Sequence, residues 1–212
     1  MSGRWIGRAN VRKRLAPREG APGRTTYADG AVRIEPEEGE RLLVRPPFGL
    51  THAAEYDRVR AGPLLEELER DHLVAALLVR LGGYAVGVFD GERLVASKVG
   101  SRFVKNRHKK GGSSANRFRR RREEQARTLV DEAAAVAARV LEPHSERIEF
   151  VALGGDRAAV DAVLAARPEL AWLRERAVER FFTVPEPRQR VLEAFPYDLY
   201  AAEVVTLSPD EP

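Results

Sequence analysis

The residues best equipped for chemistry lie in one short run, Lys105-Asn106-Arg107-His108-Lys109-Lys110-Gly111-Gly112-Ser113-Ser114-Ala115-Asn116-Arg117-Phe118-Arg119-Arg120-Arg121-Arg122. Lys105, Arg107, His108, Lys109 and Lys110 set cationic or near-cationic groups ahead of a Gly-Gly pair. Two glycines let the main chain take angles that a Cβ forbids and approach a ligand closely. Ser113 or Ser114 then offers the side-chain oxygen that caps a helix start, so that first-turn N–H groups and the positive end of the helix dipole point into the loop. Backbone donors, a helix terminus and dense Lys/Arg suit the phosphates of a nucleic acid. The quartet Arg119 to Arg122 is spread around a helix at ~100° per residue, which sends Arg119 and Arg120 toward such a ligand and Arg122 nearer the core stripe.

The charge balance points the same way. The net charge is only +4, from 36 Lys and Arg against 32 Asp and Glu, but eleven of the cations and none of the acids fall between Lys98 and Arg122. Removing those eleven leaves 25 basic residues against 32 acidic, so the rest of the chain is acidic. Concentrated positive charge on an otherwise acidic chain implies a polyanion docking at one place. Other chemistry finds little support. Cysteine is absent, which excludes disulfides and thiolate metal sites. His52, His72, His108 and His144 are scattered without ligand spacing, so no metal site and no cofactor is expected. A serine nucleophile at Ser113 or Ser114 would have only His108 nearby and no carboxylate to orient it. Trp5 and Trp172 are read as packing residues, and Gly154-Gly155-Asp156 as a strand-to-helix connection. No apolar run reaches the ~18 residues of a membrane span and the N-terminus lacks a signal-type apolar region, so a soluble cytoplasmic protein is expected.

Elements must position that run. Residues 1–62 are read as a small β-rich region, with a hairpin at Tyr27–Ile34 turning on Asp29-Gly30 and a strand at Arg41–Val44. Leu64, Leu65 and Leu68 recur at helical spacing up to His72. Leu73–Val79, Tyr84–Phe89 and Arg93–Val99 read as three consecutive strands, the last two joined at Asp90-Gly91. A long helix follows from Ala115 to Leu141, with Phe118, Leu129, Val136 and Val140 on one stripe and Pro143 as its stop. Strands at Ile148–Leu153, Ala177–Val184 and Ala201–Leu207 alternate with helices capped by Asp156 and begun near Pro187. The expected architecture is α/β, a mixed sheet with helices on its faces over residues 63–212.

The run Gly111-Gly112-Ser113-Ser114-Ala115-Asn116-Arg117-Phe118-Arg119-Arg120, entered through Lys109-Lys110, resembles the central domain of the class I peptide-chain release factor of eukaryotes and archaea, where Gly-Gly-Gln-Ser-Ala-Arg-Arg-Phe opens a long helix. It is more closely similar to the Vms-like release factors, with their Gly-Gly-Ser-Gln loop, which include shorter bacterial members. The resemblance implies an RNase H-like domain carrying its basic glycine loop at 105–117. It also implies a peptidyl-tRNA hydrolase of ribosome quality control whose partners are the large ribosomal subunit and peptidyl-tRNA. Gly111, Gly112, Ser113 and Ser114 would then be catalytic, and Lys105, Arg107, His108, Lys109, Lys110, Arg117, Arg119 and Arg120 RNA-binding. The family glutamine is replaced by Ser113 or Ser114, depending on alignment. Two readings therefore stand, a hydrolase and a non-hydrolytic ribosome- or tRNA-binding rescue module. Gln125 lies ~18 Å farther along the helix than Ser113 and is read as structural.

Overall fold

The structure, a computed structural model, describes residues 3–80, 82–101 and 114–208; the side chains of 114–119, 121 and 122 lie outside the described residues. In chain order the elements are β1 (Arg4–Gly7), α1 (Arg8–Leu15), β2 (Pro22–Ala28), β3 (Ala31–Pro36), β4 (Arg41–Arg45), β5 (Ala54–Arg58) and α2 (Gly62–Glu69). There follow β6 (Leu73–Arg80), β7 (Gly83–Asp90), β8 (Arg93–Ser101), α3 (Ser114–Leu141), β9 (Phe150–Gly155), α4 (Arg157–Ala166) and α5 (Trp172–Glu175). The chain continues through β10 (Ala177–Phe182), α6 (Gln189–Leu199) and β11 (Ala201–Leu207). They divide between two compact units, Met1–Asp71 with Pro196–Pro212, and His72–Phe195.

The first unit is a six-stranded antiparallel sheet ordered β1-β11-β4-β3-β2-β5. Its central hairpin forms where Asp29-Gly30 was expected to turn. Ala28 pairs with Ala31, and both intervening residues have positive φ, 52° and 72°, as a type I′ turn requires. Val32, Ile34, Leu42 and Val44 point into a core shared with Val11 and Leu15 of α1 and Leu64 and Leu68 of α2. The start of α2 is held from a distance: the Glu19 carboxylate accepts from the N–H groups of Ala61 (2.6 Å) and Gly62 (3.1 Å).

The second unit is a five-stranded mixed sheet ordered β10-β9-β6-β7-β8. β6, β7 and β8 form an antiparallel meander, and β9 and β10 add parallel strands beyond β6. Hydrogen bonding along β7 and β8 closes around Gly91-Glu92, with positive φ at Gly91 (61°), the first loop position. One sheet face buries Leu73, Ala75, Leu77, Val79, Tyr84, Val86 and Val88 against Leu129, Ala133, Ala134, Val136, Ala137 and Leu141 of α3 and Val160, Val163 and Leu164 of α4. On the other, Phe195 of α6 meets the rings of Phe89 (6.2 Å) and Phe182 (4.9 Å). Every residue of β6 and β7 but the last of each is buried, as expected of strands covered on both sides.

The α/β expectation holds, and two corrections apply to its layout. The boundary falls after Asp71 rather than at residue 62, because α2 packs its leucines into the first unit's core. The last strand, β11, has the expected bounds but pairs between β1 and β4 instead of extending the second sheet. An apolar run fixes that a strand is half-buried and leaves its pairing partner open. Trp5 stands on the edge strand β1 and is 44% exposed. Trp172, by contrast, packs against the second core beneath the Arg176 guanidinium, 5.2 Å from the ring centroid.

Candidate nucleic-acid interface

In the chain the basic run falls between two described elements, β8 and α3. β8 is the edge strand of the second sheet and presents Arg93, Val95, Ser97, Lys98 and Ser101 to solvent. Leu94 and Ala96 are partly covered between exposed neighbours, and the alternation breaks after Ser97, where Val99 and Gly100 are both partly covered. α3 resumes at Ser114 and runs without interruption to Leu141, where Pro143 falls in the following turn. Over a rise of 1.5 Å per residue such a helix spans ~40 Å, more than its packed half needs. Among its described side chains the packed half begins at Leu129, the buried positions being Leu129, Ala133, Ala134, Val136, Ala137 and Leu141. Ahead of it Arg120, Glu123, Glu124 and Arg127 are exposed. Thr128 bonds back to the Glu124 carbonyl at 2.9 Å.

The expected site residues divide by what is described. Lys105, Arg107, His108, Lys109, Lys110, Gly111, Gly112 and Ser113 lie outside the described residues. Ser114 is the first residue of α3, and Arg117 and Arg119 are in its first turns, their side chains outside the description. Arg120 is in α3 and exposed, as a phosphate contact must be. Gln125 is half-buried on the packed side of the helix.

One buried side chain that sequence reasoning passed over links the two supports. Tyr84 of β7, 2% exposed, sits opposite Gly100 of β8 and donates its hydroxyl to Glu132 of α3 at 3.0 Å. A glycine inside an alternating strand is the one signal that marked the spot, because it advertises a close approach.

The remaining candidates resolve structurally. Gly155 (φ 104°) lies where a Cβ would be 2.1 Å from the Val79 carbonyl, and Asp156 accepts from the Ala159 N–H at 3.0 Å as the cap of α4. Gly154-Gly155-Asp156 is thus a strand-to-helix connection. His72 is buried, its Nδ1 2.9 Å from Glu149, whose other oxygen accepts from the Leu73 N–H at 3.1 Å. No helix among the described residues is long and apolar enough to cross a membrane.

With this geometry in hand, comparison with known proteins is informative. A family model described as acVLRF1, the Actinobacteria/chloroflexi VLRF1 release factor, matches residues 72–205, more than half of the chain. The chain belongs to this release-factor family. The match opens at the boundary before β6 and runs on into β11. The Vms-like resemblance of the glycine run agrees with that membership. Among solved structures, the chain is similar to the crystal structure of the archaeal translation termination factor aRF1 at 18% identity and a TM-score of 0.44. A second archaeal protein is similar at 18% identity and a TM-score of 0.40. Each alignment covers 82% of this chain and 51% of the other, so the chain spans about half the length of these relatives. No curated protein matches it in sequence.

Proposed function

We propose that this release-factor family member works in the cytoplasm on the large ribosomal subunit, as a peptidyl-tRNA hydrolase that frees stalled peptides. The observation that carries the reading is the acid-free run of eleven cations around Gly111-Gly112, placed at the mouth of a long helix within the matched family region. Lys105, Arg107, His108, Lys109, Lys110, Arg117, Arg119 and Arg120 contact RNA phosphates and orient the loop. Gly111 and Gly112 let the backbone reach the ester that joins the peptide to the tRNA 3′ end. A main-chain N–H at Ser113 or Ser114 stabilises the oxyanion formed when water attacks. One such donor contributes about 2.7–4 kcal/mol in other acyl-transfer sites. The chain acts as a monomer and recruits no metal or cofactor.

A second reading is favoured by one observation, the serine where the resembling loops have glutamine. In it the same surface binds the ribosome or tRNA and cleaves nothing. Purified protein incubated with ribosome-bound peptidyl-tRNA separates the two. Free peptide beside intact tRNA supports hydrolysis, stable binding without release supports the rescue module, and shortened tRNA overturns both. Gly111→Ala with Gly112→Ala is expected to abolish release and leave most of the affinity. Lys109, Lys110, Arg119 and Arg120 changed together to Ala are expected to weaken binding and flatten its salt dependence, because fewer counterions are displaced.

A further inference from the structure

We propose, building on the release reading above, that Tyr84 is a positioning residue that ties the end of β8, after which the basic segment begins, to the packed half of α3, which carries that segment's other end. Three observations meet in this one side chain. Tyr84 and Gly100 are directly opposed in the β7–β8 ladder. A Cβ built on Gly100 would lie 2.4 Å from both Cζ and Oη of Tyr84, so the phenol ring fills the space that a side chain at position 100 would take. The hydroxyl then reaches beyond the strand and donates to Oε1 of Glu132 at 3.0 Å.

The location gives the contact its meaning. Among the described residues β8 is an edge strand, held by backbone hydrogen bonds on one side, and Gly100 is next to its last residue. An aromatic ring laid across a strand glycine restores the packing that glycine forfeits. Glu132 stands within the buried half of α3, between Leu129 and Val136. A phenol donating to a carboxylate makes a charge-assisted bond, stronger than a neutral one and strict in direction. Tyr84 therefore touches both β8, which residues 102–113 follow in the chain, and α3, which they precede. Reaction rates are sensitive to such framing, since a displacement of about 1 Å far from the chemistry can cost on the order of 10²-fold.

Tyr84→Phe tests the inference, because it deletes one oxygen and keeps the ring over Gly100. In single-turnover release from ribosome-bound peptidyl-tRNA, the full-length variant is expected to show an about tenfold lower rate at saturating protein. The protein concentration giving half the maximal rate is expected to stay at the wild-type value. Amide exchange on the free protein is expected to quicken at Val99–Ser101 and in the turn of α3 around Glu132, with protection in β6 and β9 unchanged. Gly100→Ala, whose methyl must displace the ring, is expected to reproduce both effects. A Tyr84→Phe protein with wild-type release and wild-type exchange overturns the proposal. So does exchange that quickens uniformly across the unit, which would mark a general loss of stability. If the wild-type protein releases no peptide, the release reading fails on its own. The exchange pattern then decides the Tyr84 proposal, selective quickening at the two segments supporting it and an unchanged or uniform pattern sinking it.

Discussion

The two sheets of this molecule bury their strands differently. In the second unit β6 and β7 are buried at consecutive positions, so Leu77 faces α3 and α4 while Leu78, its neighbour, faces away from them and is equally inaccessible. In the first unit β3 alternates: Val32 and Ile34 are fully buried and Arg33 between them is not. A sheet covered on both faces reads as an unbroken apolar run, and one covered on a single face reads as a period of two. The difference teaches where tolerance to substitution should lie, and it can be broken by measurement.

The largest effects fall on the cores. Leu77→Ala and Leu78→Ala are each expected to cost about 2–5 kcal/mol in urea unfolding, although they point to opposite faces. Ile34→Ala should cost a similar amount. A near-neutral result at either Leu77 or Leu78 would show that one face of the second sheet is not packed as described.

Next is pH. Burial lifts the Tyr27 hydroxyl to about 12, where it donates to the Arg60 carbonyl at 2.6 Å. The fold favours the neutral phenol, so its contribution is complete below the unfolded value near 10 and is lost as pH rises through 12. Stability should fall by on the order of 2 kcal/mol across that window. Tyr27→Phe should remove that part of the slope, read from urea midpoints at a series of pH values.

Removing the cap at the head of α4 with Asp156→Ala is expected to cost about 1 kcal/mol by the same denaturation. Smallest of all, Arg33→Ala should change stability by no more than about 0.5 kcal/mol. A large loss there would mean that the single-sided description of the first sheet is wrong.

Much of this arrangement was legible before any coordinates. The strands β6, β7 and β8, the span of α3 and the Asp156 cap all follow from local pattern, because periodicity reports which side of an element meets water. The turn at Asp29-Gly30 was legible for a different reason, the positive φ that Gly and Asp accept there. The short β1, α1 and β5 were not, since Arg-rich stretches such as Arg8–Leu15 carry almost no apolar stripe. The candidate site was legible as a composition, eleven cations about two glycines, and as a family resemblance that the family match supports.

Taken alone, then, the sequence determined most of the element types, the class of the fold and the charge of the basic segment, all of them properties of neighbours along the chain. Only the tertiary structure decided that β11 lies beside β1 and β4, that Glu19 caps α2 from more than forty residues away, and that Tyr84 fills the hollow at Gly100 while holding Glu132. Each of these joins groups far apart in sequence. A local pattern states how much of a residue is hidden and leaves open what hides it, so partners emerge only when the whole core is assembled.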